Sequence, residues 1–146
     1  MITLKELLKD GQVQLKDRSA SAVEDCEILI GHILNKNSAW LIAHDDRALT
    51  SEQILAFQNY LQRRSAGEPV AYIIGQRAFW EHQFEVNPSV LIPRPESELL
   101  VELTMQIATE QAFTPQSLSI VDLGTGSGAI AISLAHELPQ AEVTAV

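Results

Sequence analysis

Along residues 1–66 the apolar positions recur three and four apart, the spacing of helices that bury one face. In ITLKELLKD, Ile2, Leu4, Leu7 and Leu8 line one side. In SASAVEDCEILIGHILNKN, Ala22, Cys26, Leu29 and Ile33, flanked by Val23, Ile30 and Leu34, repeat at helical spacing, with Glu24, Asp25 and Glu27 opposite. Asn35 and Asn37 mark the end of that helix. A short apolar piece, SAWLIAH, precedes TSEQILAFQNYLQRR, where Thr50 and Gln53 have capping-box spacing ahead of Ile54, Phe57 and Leu61. Gly67 and Pro69 close this helix. The pattern predicts an all-helical bundle over residues 1–73.

After Gly75 the period changes. QRAFWEHQFEV holds two short aromatic and β-branched runs around Glu81 and His82, which predicts a β-hairpin within a linker over 74–92. In NPSVLIPRPESELLVELTMQIATEQ, Pro93 and Pro95 prevent helix before Glu96. Pro95 suits a first helical position, the helix dipole favours Glu96 and Glu98, and Leu99, Leu103 and Ile107 supply a buried stripe. The last stretch reads as strand SLSIVDL, a glycine loop, helix SGAIAISLAHEL, the breaker Pro139 and a second strand AEVTAV. That order predicts a β–loop–α–β unit with parallel strands and a right-handed crossover, so the fold class is α/β, with a third segment over 93–146.

Charge narrows the function. Residues 1–75 carry eight Lys/Arg against ten Asp/Glu, and residues 76–146 carry two against nine, within a formal net charge of −9. Phosphate-backbone binding draws on clustered Lys and Arg, so direct nucleic-acid binding is not expected. The last lysine is Lys36, which excludes the lysine of a GxxxxGK[ST] phosphate loop in the second half. Cys26 is the only cysteine, so neither an internal disulfide nor a cysteine-rich metal site can form, and a reducing cytoplasm fits. MITLKELLKDGQ has no apolar signal region, and no 18 apolar residues run together, which predicts a soluble, untargeted chain. His32, His44, His82 and His136 lack metal-ligand spacing and read as packed or solvated residues, so no metal site is expected. Cys26 reads as core. Trp40 and Trp80 read as packing residues, and an exposed Trp40 would suit a protein partner.

The residues with the most chemistry are VDLGTGSGAIAISLA. Gly124, Gly126 and Gly128 let the main chain turn sharply and approach a ligand, while helix amides near Ser127 to Ala129 face the same spot. GTGSGA also satisfies the dinucleotide fingerprint GxGxxG/A with Ala129 in the last place. Asp122 weighs against a pyrophosphate, because a carboxylate two residues before the first glycine repels it. A ligand bearing positive charge, such as S-adenosylmethionine with its ammonium and sulfonium centres, matches better. The plainer alternative, that Asp122 only accepts loop amides, stays open.

DLGTGSGAIAISLA resembles the first motif of class I S-adenosylmethionine-dependent methyltransferases. VLIPRPESE just upstream resembles a signature of the release-factor glutamine methyltransferase family. With GEPVAYIIGQRAFW and the helical N-terminus, the resemblance covers essentially all of the 146 residues. It implies a Rossmann-like methyltransferase sheet begun over 93–146, S-adenosylmethionine as cofactor, and a helical domain that binds peptide-chain release factors. It implies that Gly124, Thr125, Gly126, Ser127 and Gly128 wrap the methionine part of the donor, that Asp122 places its amino group, and that Arg94 and Glu96 border the pocket. Ser97 stands where the family often has threonine.

The implied activity is methylation of the glutamine side-chain amide in the Gly-Gly-Gln motif of release factors, in the cytoplasm. The family's catalytic Asn-Pro-Pro-Tyr element does not occur in these residues, which leads to the expectation of the N-terminal portion of a longer enzyme, inert alone. The rival readings are an NAD-dependent dehydrogenase fragment and a non-catalytic, protein-binding helical module.

Overall fold

Helix α1, Leu4–Leu15, starts where Thr3 accepts the amide of Glu6 and the Glu6 carboxylate accepts the amide of Thr3, a reciprocal capping box. The computed structural model describes residues 2–110 and 118–146. They fold as two units, Met1–Ile74 and Gly75–Val146.

In the first unit α1 is followed by α2, Ala22–Leu34, α3, Ser38–Ala43, α4, Ser51–Ser65, and α5, Val70–Ile74. Helix α2 ends on Asn35 in the left-handed conformation (φ 51°), and α3 is capped by Asn37, whose side chain accepts the Trp40 amide. The capping box of Thr50 and Gln53 forms on α4 as its spacing predicts. Leu4, Leu7, Leu15, Cys26, Leu29, Ile30, Leu41, Phe57 and Leu61 make the core. Gly11 brings α1 close to its neighbours: a Cβ there would stand 3.0 Å from the Phe57 ring and 3.1 Å from Cys26 Sγ. Burial pushes the Cys26 thiol up to about 12, consistent with a packed rather than a reactive cysteine.

Four features of this unit depart from the sequence reading. Ile2 precedes α1 and is exposed. Val23, placed beside the apolar stripe of α2, is exposed as well. Helix α5 follows Pro69 directly, with the amides of Tyr72 and Ile73 donating to the Pro69 carbonyl, whereas Pro69 reads in sequence only as a terminator. Asp25, placed on the solvated side of α2, is 6% exposed. Its carboxylate accepts Ser19 Oγ at 2.6 Å, Ser21 Oγ at 3.1 Å and Arg64 Nε at 2.7 Å, so α2 and the end of α4 are joined by a fully partnered charge. Position 25 lies at the edge of the stripe next to Cys26, and Arg64, 39 residues on, converts that edge into a buried pair.

The second unit opens with an antiparallel hairpin, β1, Gln76–Phe79, and β2, His82–Glu85, joined by Trp80 and Glu81. Phe79 and Phe84 are buried and meet edge to face, with centroids 6.3 Å apart. A 3-10 turn, Pro95–Ser97, leads into α6, Glu98–Glu110. Strand β3, Ser119–Asp122, helix α7, Ala129–Glu137, and strand β4, Glu142–Ala145, form a parallel β–α–β unit in which Ser119 pairs with Glu142 and Asp122 with Ala145. Ser117, at the start of the anticipated strand, and Gln111, at the end of the anticipated helix, lie outside the described residues.

Helix α6 buries a different stripe from the one expected. Leu99, Leu103 and Ile107 are exposed, while Val101 is fully buried and Thr104, Met105 and Ala108 are half-buried. ELLVELTMQIATE is apolar on more than one face, so two stripes satisfy the period. Val101 and Met105 win because they share a cluster with Ala129 and Leu134 of α7.

Two outcomes test this account. Burial alone would raise the Asp25 carboxyl, but hydrogen bonds from Ser19 and Arg64 outweigh it and hold the group below the usual range. Its stabilisation is therefore full above the unfolded value of about 3.9 and is lost as pH falls through the lower folded value. Asp25→Asn, which strands Arg64, is expected to cost about 3 kcal/mol in urea unfolding at neutral pH, with the difference from wild type shrinking in acid; a pH-independent difference would contradict the assignment. In hydrogen exchange, amides of β3 and β4 should exchange much faster than those of α2 and α4, because Val121 and Leu123 are exposed and an isolated strand pair is marginal. Equal strong protection in both units would refute this.

Candidate functional site

The loop between β3 and α7 takes a path that side-chain-bearing residues rarely follow. Gly124, Gly126 and Gly128 have φ of 76°, 58° and 79°. Nothing lies within 4 Å of a Cβ built on Gly124, whereas one on Gly126 would meet Val90 Cγ2 at 3.7 Å and one on Gly128 would meet Ile132 Cδ1 at 3.1 Å. The loop is anchored by its own backbone: Gly124 and Thr125 donate to the Val146 carbonyl, Val146 donates to Asp122, and Gly128 donates to Thr125. Gly128 is the N-cap of α7 and brings no side-chain cap, so the first helical amides are left to another acceptor.

Asp122 ends β3 and is half-buried at the mouth of this loop. Its Oδ2 accepts the Thr125 hydroxyl at 2.9 Å. That bond takes one of about four lone-pair positions on a carboxylate, which leaves acceptor capacity for a ligand donor. Among the described residues no Lys or Arg is ion-paired with Asp122. The site thus sets a carboxylate acceptor, Asp122, beside the uncapped amides of α7 as donors, which suits a ligand carrying both a cationic or hydroxyl donor and an acceptor, and the carboxylate disfavours a phosphate placed next to it.

The structure brings together Asp122, Gly124, Thr125, Gly126, Ser127 and Gly128, and sets Val90 beside Gly126. Arg94 and Glu96 are exposed at the 3-10 turn, and among the described residues neither makes an ion pair. Sequence reasoning treats Trp80 as packing alone. In the structure its amide donates to Glu98 Oε1 at 2.8 Å and its indole to Glu137 Oε1 at 2.7 Å. These bonds span 18 and 57 residues, so no local signal announces them. Trp40 is half-buried, stacked on His44 at 4.2 Å and flanked by Lys36 and Arg47. No helix among the described residues is long and apolar enough to cross a membrane.

Residues 6–75 match the family model described as the PrmC N-terminal domain. Over 143 residues the chain is 44% identical to a release factor glutamine methyltransferase of Shewanella oneidensis, covering 98% of this chain and 48% of that protein. Proteins of the same name from Coxiella burnetii and Escherichia coli are 42% and 41% identical, with 49% and 44% of their lengths covered. The chain belongs to the release factor glutamine methyltransferase family, and it spans about half the length of the curated relatives it matches.

The loop geometry gives a graded prediction. Replacing Gly124 by Ala should cost about 1–2 kcal/mol, the price of a left-handed backbone for a residue with a Cβ. Gly128→Ala should cost more, because it adds the contact with Ile132. Urea unfolding of both variants checks the order, and equal losses would mean that Ile132 yields freely.

Proposed function

We propose that this chain is part of an S-adenosylmethionine-dependent enzyme that methylates the glutamine side-chain amide in the Gly-Gly-Gln motif of release factors. The observation that carries the reading is Asp122, which stands at a strand end beside a left-handed glycine loop and, among the described residues, has no cation paired with it. A dinucleotide's pyrophosphate would meet that carboxylate unfavourably, whereas an ammonium group would complement it. The family supports the transfer itself, since the relatives are named for it.

In this reading Asp122 holds the amino group of the donor, and Gly124, Thr125, Gly126, Ser127 and Gly128 wrap its methionine part. Arg94 and Glu96 lie toward the rim of the pocket. When bound, S-adenosylmethionine supplies a methyl group on a positively charged sulfur. The protein residues orient that group and limit the access of water. No catalytic residue is assigned within the chain, and the chain alone is expected to be inactive. The sheet begun by β3 and β4 is taken as part of a Rossmann-like methyltransferase sheet. The helical unit serves substrate recognition, because an enzyme acting on one glutamine of a large protein needs contact area beyond its cleft. A release factor as substrate places the protein in the cytoplasm.

Calorimetric titration of a protein of the relatives' full length carrying these residues tests the donor site. S-adenosylmethionine or its demethylated product should bind at least about tenfold more tightly than NAD, a difference of about 1.4 kcal/mol. Asp122→Asn should reduce that preference. Tighter binding of NAD would sink the reading. Removing residues 1–66 should impair methylation of an intact release factor far more than that of a short Gly-Gly-Gln peptide, and equal losses would count against the recognition role.

A further inference from the structure

Outside the glycine loop, the tip of the hairpin and the last turn of α7 bring together three side chains that the sequence keeps apart. Glu81, His136 and Glu137 each offer a ligand atom, and these atoms all lie within 4.8 Å of one another. We propose that Glu81, His136 and Glu137 form a binding site for one divalent transition-metal ion of the zinc type, an inference independent of the methyltransferase reading.

Four observations carry it. A tetrahedral zinc with bonds of about 2.0–2.2 Å sets its ligands about 3.4 Å apart, so the cluster needs only a small closure, and the exposed Glu81 and His136 side chains have room to make it. Glu137 is already oriented, since the Trp80 indole donates to its Oε1 at 2.7 Å as a supporting hydrogen bond does in metal sites. The His136 ring meets the ring of half-buried His82 edge to face at 4.9 Å, which backs the imidazole on one side. The two carboxylates have no compensating cation: among the described residues the ion pairs are Lys5–Asp45, Arg63–Glu68 and Arg64–Asp25, all within Met1–Ile74.

The position favours a cation in a further way, because the C-terminal end of α7 carries the negative pole of the helix dipole. The donor set selects the type of ion. One imidazole with two carboxylates suits zinc and its neighbours better than magnesium, which prefers an all-oxygen octahedron and keeps its waters. A bound ion would clasp the hairpin turn to the end of the helix whose other end carries the glycine loop.

The test is a zinc chloride titration of the purified chain in a Trp40→Phe background, where Trp80 is the only indole, followed by calorimetry and by Trp80 fluorescence. One zinc per chain is expected, with a fluorescence change as Glu137 shifts its bonding, and with magnesium at least about tenfold weaker. Glu81→Gln and His136→Asn should each weaken zinc binding at least about tenfold with an unchanged circular dichroism spectrum, while His44→Asn, in the helical unit, leaves it intact. Absence of saturation up to millimolar zinc, affinity unchanged in both site variants, affinity lost in His44→Asn, or equal binding of magnesium would each overturn the proposal.

Discussion

Trp80 is the residue on which the second unit depends. It sits at φ 53°, a left-handed backbone that costs a bulky residue about 1–2 kcal/mol. Two hydrogen bonds to carboxylates, each contributing about 1.5–3 kcal/mol, offset that cost. Through them one turn residue fixes the hairpin to the start of α6 and to the end of α7. Helix α7 in turn carries the glycine loop at its N-terminus, so the placement of that loop rests on a strained tryptophan far from it in sequence.

The helical unit is held by a different device. Its core is apolar and closely packed, with Gly11 admitting the Phe57 ring where any side chain would intrude. At the edge of that core the Asp25 carboxylate and the Arg64 guanidinium share Ser19, and no oxygen of Asp25 is left without a donor. A buried ion pair is a weak source of net stability but a strong source of register, since any other alignment of α2 against α4 would strand a charge. Arg63, the preceding residue, binds Glu68 and the carbonyls of Tyr72 and Ile73, and so fixes α5 onto α4.

The second unit leaves much apolar surface uncovered. Leu99, Leu103 and Ile107 on α6, Val121 and Leu123 around β3, and Ile132 on α7 are exposed. Parallel strands ordinarily have both faces covered, whereas here Ser119 and Val121 of β3 are exposed and in β4 only Val143 is half-buried. Those exposed faces explain why apolar periodicity, which assumes that every stripe is buried, selects the wrong face of α6.

By itself the sequence determined most of the local elements and the place of the glycine loop between β3 and α7. The capping box at Thr50, asparagines at the end of α2, prolines before α6 and alternating glycines after Asp122 act through near neighbours, and their meaning is legible in order along the chain. Only the tertiary structure decided which face of α6 is buried, that Asp25 is an interior charge, and that Glu81 meets His136 and Glu137. Each of these depends on a partner tens of residues away or on competition between equally periodic faces. Such contacts are chosen by the sum of burial and hydrogen bonding over a whole unit, which no short stretch of sequence contains.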